Sequence, residues 1–539
     1  MSDISSTQNI FPMVRQADEA LTRWWVRYGV ALMAGLLASL SVAPVHGWPV
    51  LLVSLSVLVF LVDATRHATR PVMDGALIGW LFGVGLCLPA YTWVANPFYV
   101  EAEKYAFLAP VAMFGMAALM ALFVCFSIAV ATRFWAHNWT RAVVLGAAWS
   151  AGELLRGYIL TGFPWNLIVY SWTDQLAFVQ LASVVGPYGL GLIFVVLCAL
   201  PAVAIKPFAD GTPPSATTPV LDRQPVRVLG AVIGGFVFVF AFGVLRVPMA
   251  TPVADPDRTI VRVINPNVEQ RLKFLPNGET RLFEQAVGLG QTAADSSVDI
   301  IVWPEATTSF DLSSSPVAMQ YIGDMLGEDQ VLLAGSSRVV FDPVDRRRFH
   351  NSLQVYDTNG ALKDIYDKSH LVPFGEYVPI KWFFNTIGFE QLTRARGALT
   401  PGEGLRTLAL EGAPSFSPLI CYEAIFPGHV VGDRRPDFLL NVSDDSWFGK
   451  AWGPRQHFVS ARMRTIEEGL PMVRSANQGV TAVIDPYGRI VRKLEPDEEG
   501  GITEAVPRPL SPTLYAMLGD WMSLLVLLAA GGLAWRFKP

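Results

Sequence analysis

The sequence predicts an integral membrane α-helical bundle joined to an α/β domain of soluble character. Three observations predict it. Eight apolar runs punctuate the chain, most of them close to the about 18–20 residues that a bilayer crossing requires. Lys and Arg gather in every second connection between those runs. Between residues 257 and 510 the composition changes: charges rise, and short β-rich stretches alternate with helical ones, the pattern of a layered α/β domain.

Composition narrows the function classes. The chain has 539 residues, 52% of them hydrophobic and only 16% charged, with a net charge of −5. That balance argues against nucleic acid as a partner. Of the four cysteines, Cys87, Cys125 and Cys198 lie in apolar runs, and only Cys421 lies in the charged segment. There is no CxxC or Cys/His cluster and the seven histidines are scattered, so the expectation is chemistry without a metal or a cofactor.

Taken in order, Met1–Ala20 is polar and lacks the pattern of a removable signal peptide. The apolar runs follow at Trp25–Val42, Pro49–Val62, Ala76–Val94, Ala106–Ala131, Ala142–Leu160, Leu176–Ala204 and Val228–Leu245, with a last one at Met517–Trp535. Glu153 and Arg156 interrupt the fifth. Three apart on a helix, they can neutralise each other; contact with a lipid headgroup is the alternative. Arg15, Arg23 and Arg27 precede or open the first run, and Arg66 and Arg70 separate the second and third. Arg133 and Arg141 separate the fourth and fifth, Lys206, Arg223 and Arg227 the sixth and seventh, and Arg536 and Lys538 end the chain. The other loops are poor in Lys and Arg. The positive-inside rule then puts both termini in the cytoplasm. Eight spans satisfy that rule, whereas seven would put the basic loop 206–227 on the wrong face. The expected organisation is a cytoplasmic segment at 1–24, seven transmembrane helices within 25–246, an extracytoplasmic domain at 257–510 and an eighth helix at 517–535. Thr212–Pro219 reads as a cytoplasmic linker.

Within the charged segment, Ile260–Ile264, Ile300–Trp303, Val331–Ala334, Leu353–Tyr356, Phe416–Cys421, Phe438–Val442 and Thr481–Ile484 read as strands. Leu282–Ala293 and Gln456–Glu468 read as helices. Asn359-Gly360 and Tyr487-Gly488 are tight turns joining strand pairs.

A lone buried cysteine usually only fills space. Cys421 stands out because it ends an apolar run and two other segments offer complementary groups. DIIVWPEATTSF ends a buried-looking strand at Glu305, and DKSHLVPFGEYVP presents Lys368, His370 and Glu376 in a Gly/Pro-containing loop. A thiol, an amine and a carboxylate at the ends of apolar runs form a plausible nucleophile constellation.

The order Glu305 in VWPE, Lys368 in YDKSHLVPFGE and Cys421 in LICYE resembles the nitrilase superfamily. Over essentially the whole chain the sequence is similar to the apolipoprotein N-acyltransferase family, in ELLRGYILTGFPW, NVSDDSWFGKAWGPRQHFVSARM and VRSANQGVTAVID. The resemblance implies a nitrilase-like αββα sandwich at 257–510 with Glu305, Lys368 and Cys421 as catalytic triad. It also implies supporting roles for Glu376, Tyr422 and Glu423. The family's usual Lys-Trp pair stands here as Lys273-Phe274, which makes Phe274 a candidate substrate-contacting aromatic. Trp447 and Phe448 are candidates either for a lid touching lipid or for a core anchor. His370 reads as structural.

The implied reaction takes an acyl chain from a phospholipid donor to the N-terminal amine of diacylglyceryl apolipoproteins. It would run in the inner (cytoplasmic) membrane, on a monomer, with the catalytic domain in the periplasm. A thiolate would divide the transfer into two steps through a thioester. Glu305 would act as base, and Lys368 would favour the thiolate and, with the Tyr422 backbone N–H, stabilise the oxyanion. The alternatives are a membrane-tethered nitrilase-like amidase and a transporter or scaffold with an inactive domain.

Overall fold

The computed structural model describes residues 20–537 except 22, 137, 206–223, 249–257, 274, 276–277, 292–296, 342–346, 379–398, 411–412 and 451. Phe274 and the linker at 212–219 lie outside the described residues. The chain divides into two compact units: one of residues 1–98, 104–248 and 517–539, the other of residues 99–103 and 249–516.

The first unit is helical. Its long elements are α1 (Trp24–Ala38), α2 (Val50–Ala64), α3 (Pro71–Ala90), α4 (Ala109–Arg133), α5 (Thr140–Tyr158), α6 (Ala182–Ile205), α7 (Gln224–Arg246) and, from the chain's end, α11 (Trp521–Arg536). Among the described residues, four helices are long and apolar enough to cross a membrane, within α3, at 102–133, within α6 and within α7. The apolar α2 and α11 are shorter. The sixth apolar run is not one smooth helix: a separate turn at Leu176–Val179 precedes α6, and Gly186 breaks the regular conformation with φ 71°. Gly519, at φ 57°, likewise separates α11 from the turn Leu514–Leu518.

Small residues set how closely these helices pack. A Cβ on Gly35 of α1 would stand 2.0 Å from the Phe82 carbonyl oxygen of α3, so glycine is required for that approach. The charges inside the bundle are paired. Arg27 meets Asp74 at 3.0 Å, and Arg141 lies 3.8 Å from Asp63, which also accepts from Trp135 Nε1 at 2.8 Å. Glu153 and Arg156 do face each other on α5, but loosely, at 3.9 Å. Glu153 is held more firmly by the Ile168 backbone N–H at 2.8 Å, and Arg156 donates to the Tyr91 hydroxyl at 3.2 Å.

The second unit contains two six-stranded sheets among the described residues. The first runs β12-β1-β2-β3-β4-β5, with β1 (Ile260–Asn265), β2 (Ile300–Val302), β3 (Val331–Phe341), β4 (Arg347–Tyr356), β5 (Leu362–Asp367) and β12 (Gly500–Ala505). The second runs β11-β10-β9-β8-β7-β6, with β6 (Leu408–Leu410), β7 (Ala413–Ile420), β8 (Phe438–Asp444), β9 (Met472–Asn477), β10 (Thr481–Ile484) and β11 (Ile490–Leu494). β1, β2 and β3 are parallel, as are β7, β8 and β9.

Alternation of side chains across each strand divides the apolar residues between two faces. Val261, Val263, Ile300, Val302, Phe416, Ile420, Val442 and Val473 meet in one buried cluster between the sheets. The opposite face of the first sheet buries Ile301, Trp303 and Leu332 against Phe283 of α8 (Gly278–Gln291) and Ile322 of α9 (Pro316–Met325). The opposite face of the second buries Leu419, Leu439 and Met472 against Phe458 and Ala461 of α10 (Gly453–Glu468). Helix, sheet, sheet and helix therefore stack as an αββα sandwich.

All seven expected strands are present, and β3 and β4 extend well past their expected limits. The glycines of both expected turns adopt the left-handed conformation, Gly360 at φ 69° and Gly488 at φ 81°. Two strand ends are corrected: β2 stops at Val302, before Trp303, and β7 stops at Ile420, where Cys421 opens a short 3₁₀ turn, Cys421–Ile425.

Candidate active site

In parallel sheets the groups that follow the strand ends gather along one edge. Glu305 follows β2, Cys421 follows β7 and Asp445 follows β8. Trp303, fully buried, anchors the exit from β2: its backbone N–H donates to the Leu333 carbonyl, and its ring meets Phe283 edge-on at 5.9 Å. Gly335 lets the turn pass close, since a Cβ there would lie 2.3 Å from the Pro304 carbonyl oxygen. Glu305 is thereby delivered into the interior at 6% exposure.

Lys368 follows β5 and is 1% exposed. Its Nζ donates to Glu376 at 2.8 Å and to Glu305 at 3.3 Å. Burial opposes its charge, but Glu376, Glu305 and Cys421 outweigh that and hold its pKa well above the usual lysine range. Glu376 is fixed by the Val372 N–H, which donates to its other oxygen at 2.7 Å. Asn351 of β4 donates to Glu305 at 2.7 Å and lies 3.4 Å from Glu376, and the Asp444 N–H donates to the second Glu305 oxygen at 2.7 Å. The Asp444 carboxylate is in turn paired with Lys273.

Cys421 is buried, with a left-handed backbone at φ 51°, uncommon for a residue with a side chain. Its thiol is pushed well above the ordinary range by burial and then by Glu305, against the opposing pull of Lys368. Lys368 acts in the expected direction, towards the thiolate, but burial and Glu305 outweigh it.

Glu423 ties the turn bearing Cys421 to the loop bearing Lys368. One oxygen accepts from the Tyr366 hydroxyl, the Ser369 N–H and the Ser369 hydroxyl, each at 2.8 Å, and from the His370 N–H at 3.1 Å. The other accepts from the Ile420 N–H at 2.7 Å. Tyr422 is buried in an aromatic group, edge-on to Phe426 at 5.0 Å and to His370 at 5.5 Å, while His370 stacks on Phe426 at 4.1 Å. Phe448 sets its ring edge-on against His457 at 5.6 Å; it and Trp447 are half-buried.

Beneath the nucleophile lies a network that the sequence reading did not single out. His457 of α10 faces Asp445 through Nδ1 at 2.8 Å and donates from Nε2 to the Cys421 carbonyl at 3.1 Å. Asp445 also accepts from Arg474 at 2.7 Å and from the Ser443 hydroxyl at 2.6 Å. Burial would raise the Asp445 pKa, but His457 and Arg474 outweigh it and hold it down at about 2. Donor atoms of Cys421, Asp445 and His457 lie within 4.8 Å of one another, a spacing a metal could use, although Asp445 is already engaged by Arg474, Ser443 and His457. The available signal was Arg474 inside MVRSAN, a strand buried on both faces, where a cation demands partners.

A buried Glu–Lys–Cys group on an αββα sandwich defines the class, and residues 273–512 match the carbon-nitrogen hydrolase family. Residues 34–200 match the apolipoprotein N-acyltransferase N-terminal domain. The apolipoprotein N-acyltransferase of Rhodopseudomonas palustris is 38% identical over 517 residues, covering 94% of each chain. That of Bradyrhizobium diazoefficiens is 38% identical over 539 residues, covering 96% of this chain and 98% of its own. An amidase of the nitrilase superfamily from Nesterenkonia overlays with a TM-score of 0.34 at 14% identity, covering 50% of this chain and 96% of its own. The chain belongs to the apolipoprotein N-acyltransferase family, membrane-associated acyltransferases with a nitrilase-superfamily catalytic domain.

Proposed function

We propose that this protein transfers an acyl chain from a membrane phospholipid to the N-terminal amine of S-diacylglyceryl-cysteine on apolipoproteins, the last step of bacterial lipoprotein maturation. The observation that carries the mechanism is Lys368, buried and held between Glu305 and Glu376 where it is electrostatically coupled to the Cys421 thiol. Glu305 accepts the thiol proton and the sulfur attacks the ester carbonyl. Lys368 and the Tyr422 N–H stabilise the oxyanion. Collapse breaks the ester C–O bond, and Glu305 returns the proton to the departing lysophospholipid oxygen. The amine then attacks the thioester, Glu305 takes its proton, and the thiol is restored as the N-acyl amide leaves. Glu376 keeps Lys368 in place throughout. Phe274, Trp447 and Phe448 are the side chains assigned to the lipid chains.

The same reading gives eight spans, a catalytic domain at 257–510 in the periplasm and both termini in the cytoplasm of a bacterial inner-membrane monomer. Its supports are the alternation of basic loops and the apolar helices α7 and α11, which precede and follow the catalytic segment in the chain.

Incubating the purified protein with phospholipid alone tests this. About one lysophospholipid should be released per site and release should then stop, with an acyl adduct on Cys421 by mass spectrometry. A diacylglyceryl-cysteine peptide should discharge the adduct as an N-acyl amide. Sustained release of free fatty acid without acceptor would favour the membrane-tethered amidase-like hydrolase. A strict need for peptide before any lysophospholipid appears would remove the thioester.

A further inference from the structure

We infer that His457 is a positioning residue that aims the oxyanion donor, acting through the peptide plane between Cys421 and Tyr422. The inference rests on the proposed thioester chemistry. A trans peptide is rigid and planar, with its C=O and N–H pointing in opposite directions. The Cys421 carbonyl and the Tyr422 N–H belong to the same peptide. His457 Nε2, donating to that carbonyl at 3.1 Å, therefore fixes the direction in which the Tyr422 N–H points.

Two features set this contact apart from ordinary packing. Cys421 holds a left-handed backbone that a side-chain-bearing residue adopts only when its surroundings impose it. The turn is clamped on both sides of the nucleophile: Glu423 accepts the Ile420 N–H before it, and His457 takes the carbonyl after it. The imidazole is itself immobilised. Asp445 faces Nδ1, Arg474 and Ser443 hold Asp445, and Arg474 reaches Asn441 and the Val480 carbonyl. His457, Asp445 and Arg474 are all fully buried. Gly479 gives the carboxylate its place, since a Cβ there would lie 2.3 Å from Asp445 Oδ2. Burying three ionisable groups is costly. The His457 contact with the nucleophile's backbone ends on the carbonyl whose peptide carries the oxyanion donor.

Two substitutions separate the ends of the imidazole. His457→Asn keeps a donor near the Nδ1 position and loses the reach to Cys421, whereas His457→Gln keeps a donor near Nε2. Each variant, in the full-length protein, is assayed for lysophospholipid release in the first turnover and for alkylation of Cys421 by iodoacetamide. Alkylation needs the thiol but no oxyanion. His457→Asn should slow release about 100-fold, the scale of a lost oxyanion donor, with KM and the alkylation rate unchanged. His457→Gln should restore most of the rate. The inference is overturned if release and alkylation fall together, if neither changes, or if Gln fails to rescue. Absence of lysophospholipid release by the unmodified protein would instead sink the thioester reading.

Discussion

Cys421 sits among groups that push its thiol in opposite directions, Glu305 against ionisation and Lys368 towards it, and this makes its environment testable one side chain at a time. Glu305 is among the groups that raise the thiol pKa, so Glu305→Gln should lower it. The iodoacetamide profile of Cys421 should then move to lower pH while lysophospholipid release is lost, because an amide cannot accept the proton. A profile that stays in place would mean that Glu305 exerts no charge effect on the sulfur. Cys421→Ala should abolish adduct and transfer but leave the protein inserted in membranes; near-normal turnover would remove the covalent mechanism. At this scale the sequence was informative where chemistry sits in short motifs. VWPE, DKSHLVPFGE and LICYE each carry their reactive group beside a strand end, and the fold brings them together. Asn351, Asp445, His457 and Arg474 were not legible, because each matters through a partner far away in sequence, as when Asn351 reaches Glu305 across 46 positions.

Strands and turns carry the next layer of specification. Glu423 satisfies five donors with two oxygens, and those donors lie on the end of β7, on β5 and on the segment that follows β5. In Glu423→Gln the amide NH₂ must face either the Ile420 N–H or the cluster around Ser369, leaving donors opposed in the interior. A loss of about 2–3 kcal/mol is expected, read as a lowered unfolding midpoint in detergent, with turnover falling as well. An unchanged midpoint would mean the turn holds its shape without this tie. The sequence pattern revealed strands with continuous apolar runs, such as β2 and β8. It implied β5 (LKDIYD) and β11 (IVRKL) only through the turns before them and did not reveal β12 (GGITEA); their charges and glycines suit partly exposed strands and mask the period of two. It missed β9 for the opposite reason: MVRSAN is buried on both faces, so Arg474 and Asn477 occupy positions where alternation would place apolar residues.

For the whole molecule, chain direction across the bilayer is the quantity to measure. A reporter active only outside the cytoplasm should be active when fused after Pro256 and silent when fused within residues 206–227. The reverse pattern would overturn the eight-span arrangement and the periplasmic domain together. Composition changes along the chain because burial in lipid and burial in a sandwich demand different residue mixtures. The second apolar run, 49–62, was already short, and α2 has 15 residues. That α11 has only 16 residues, fewer than its run 517–535, was not foreseen; at 1.5 Å per residue each spans roughly 24 Å or less. One pairing also sets a timetable for biogenesis. β1 is flanked by β2 and by β12, and Ile260 pairs with Ala505 nearly at the other end of the catalytic segment. Until the ribosome has released β12, the first sheet has an open edge, and contacts so distant along the chain form late. The thiol therefore cannot meet a finished site while synthesis is under way. A protein arrested before β12 would be a template for aberrant strand pairing rather than a premature catalyst.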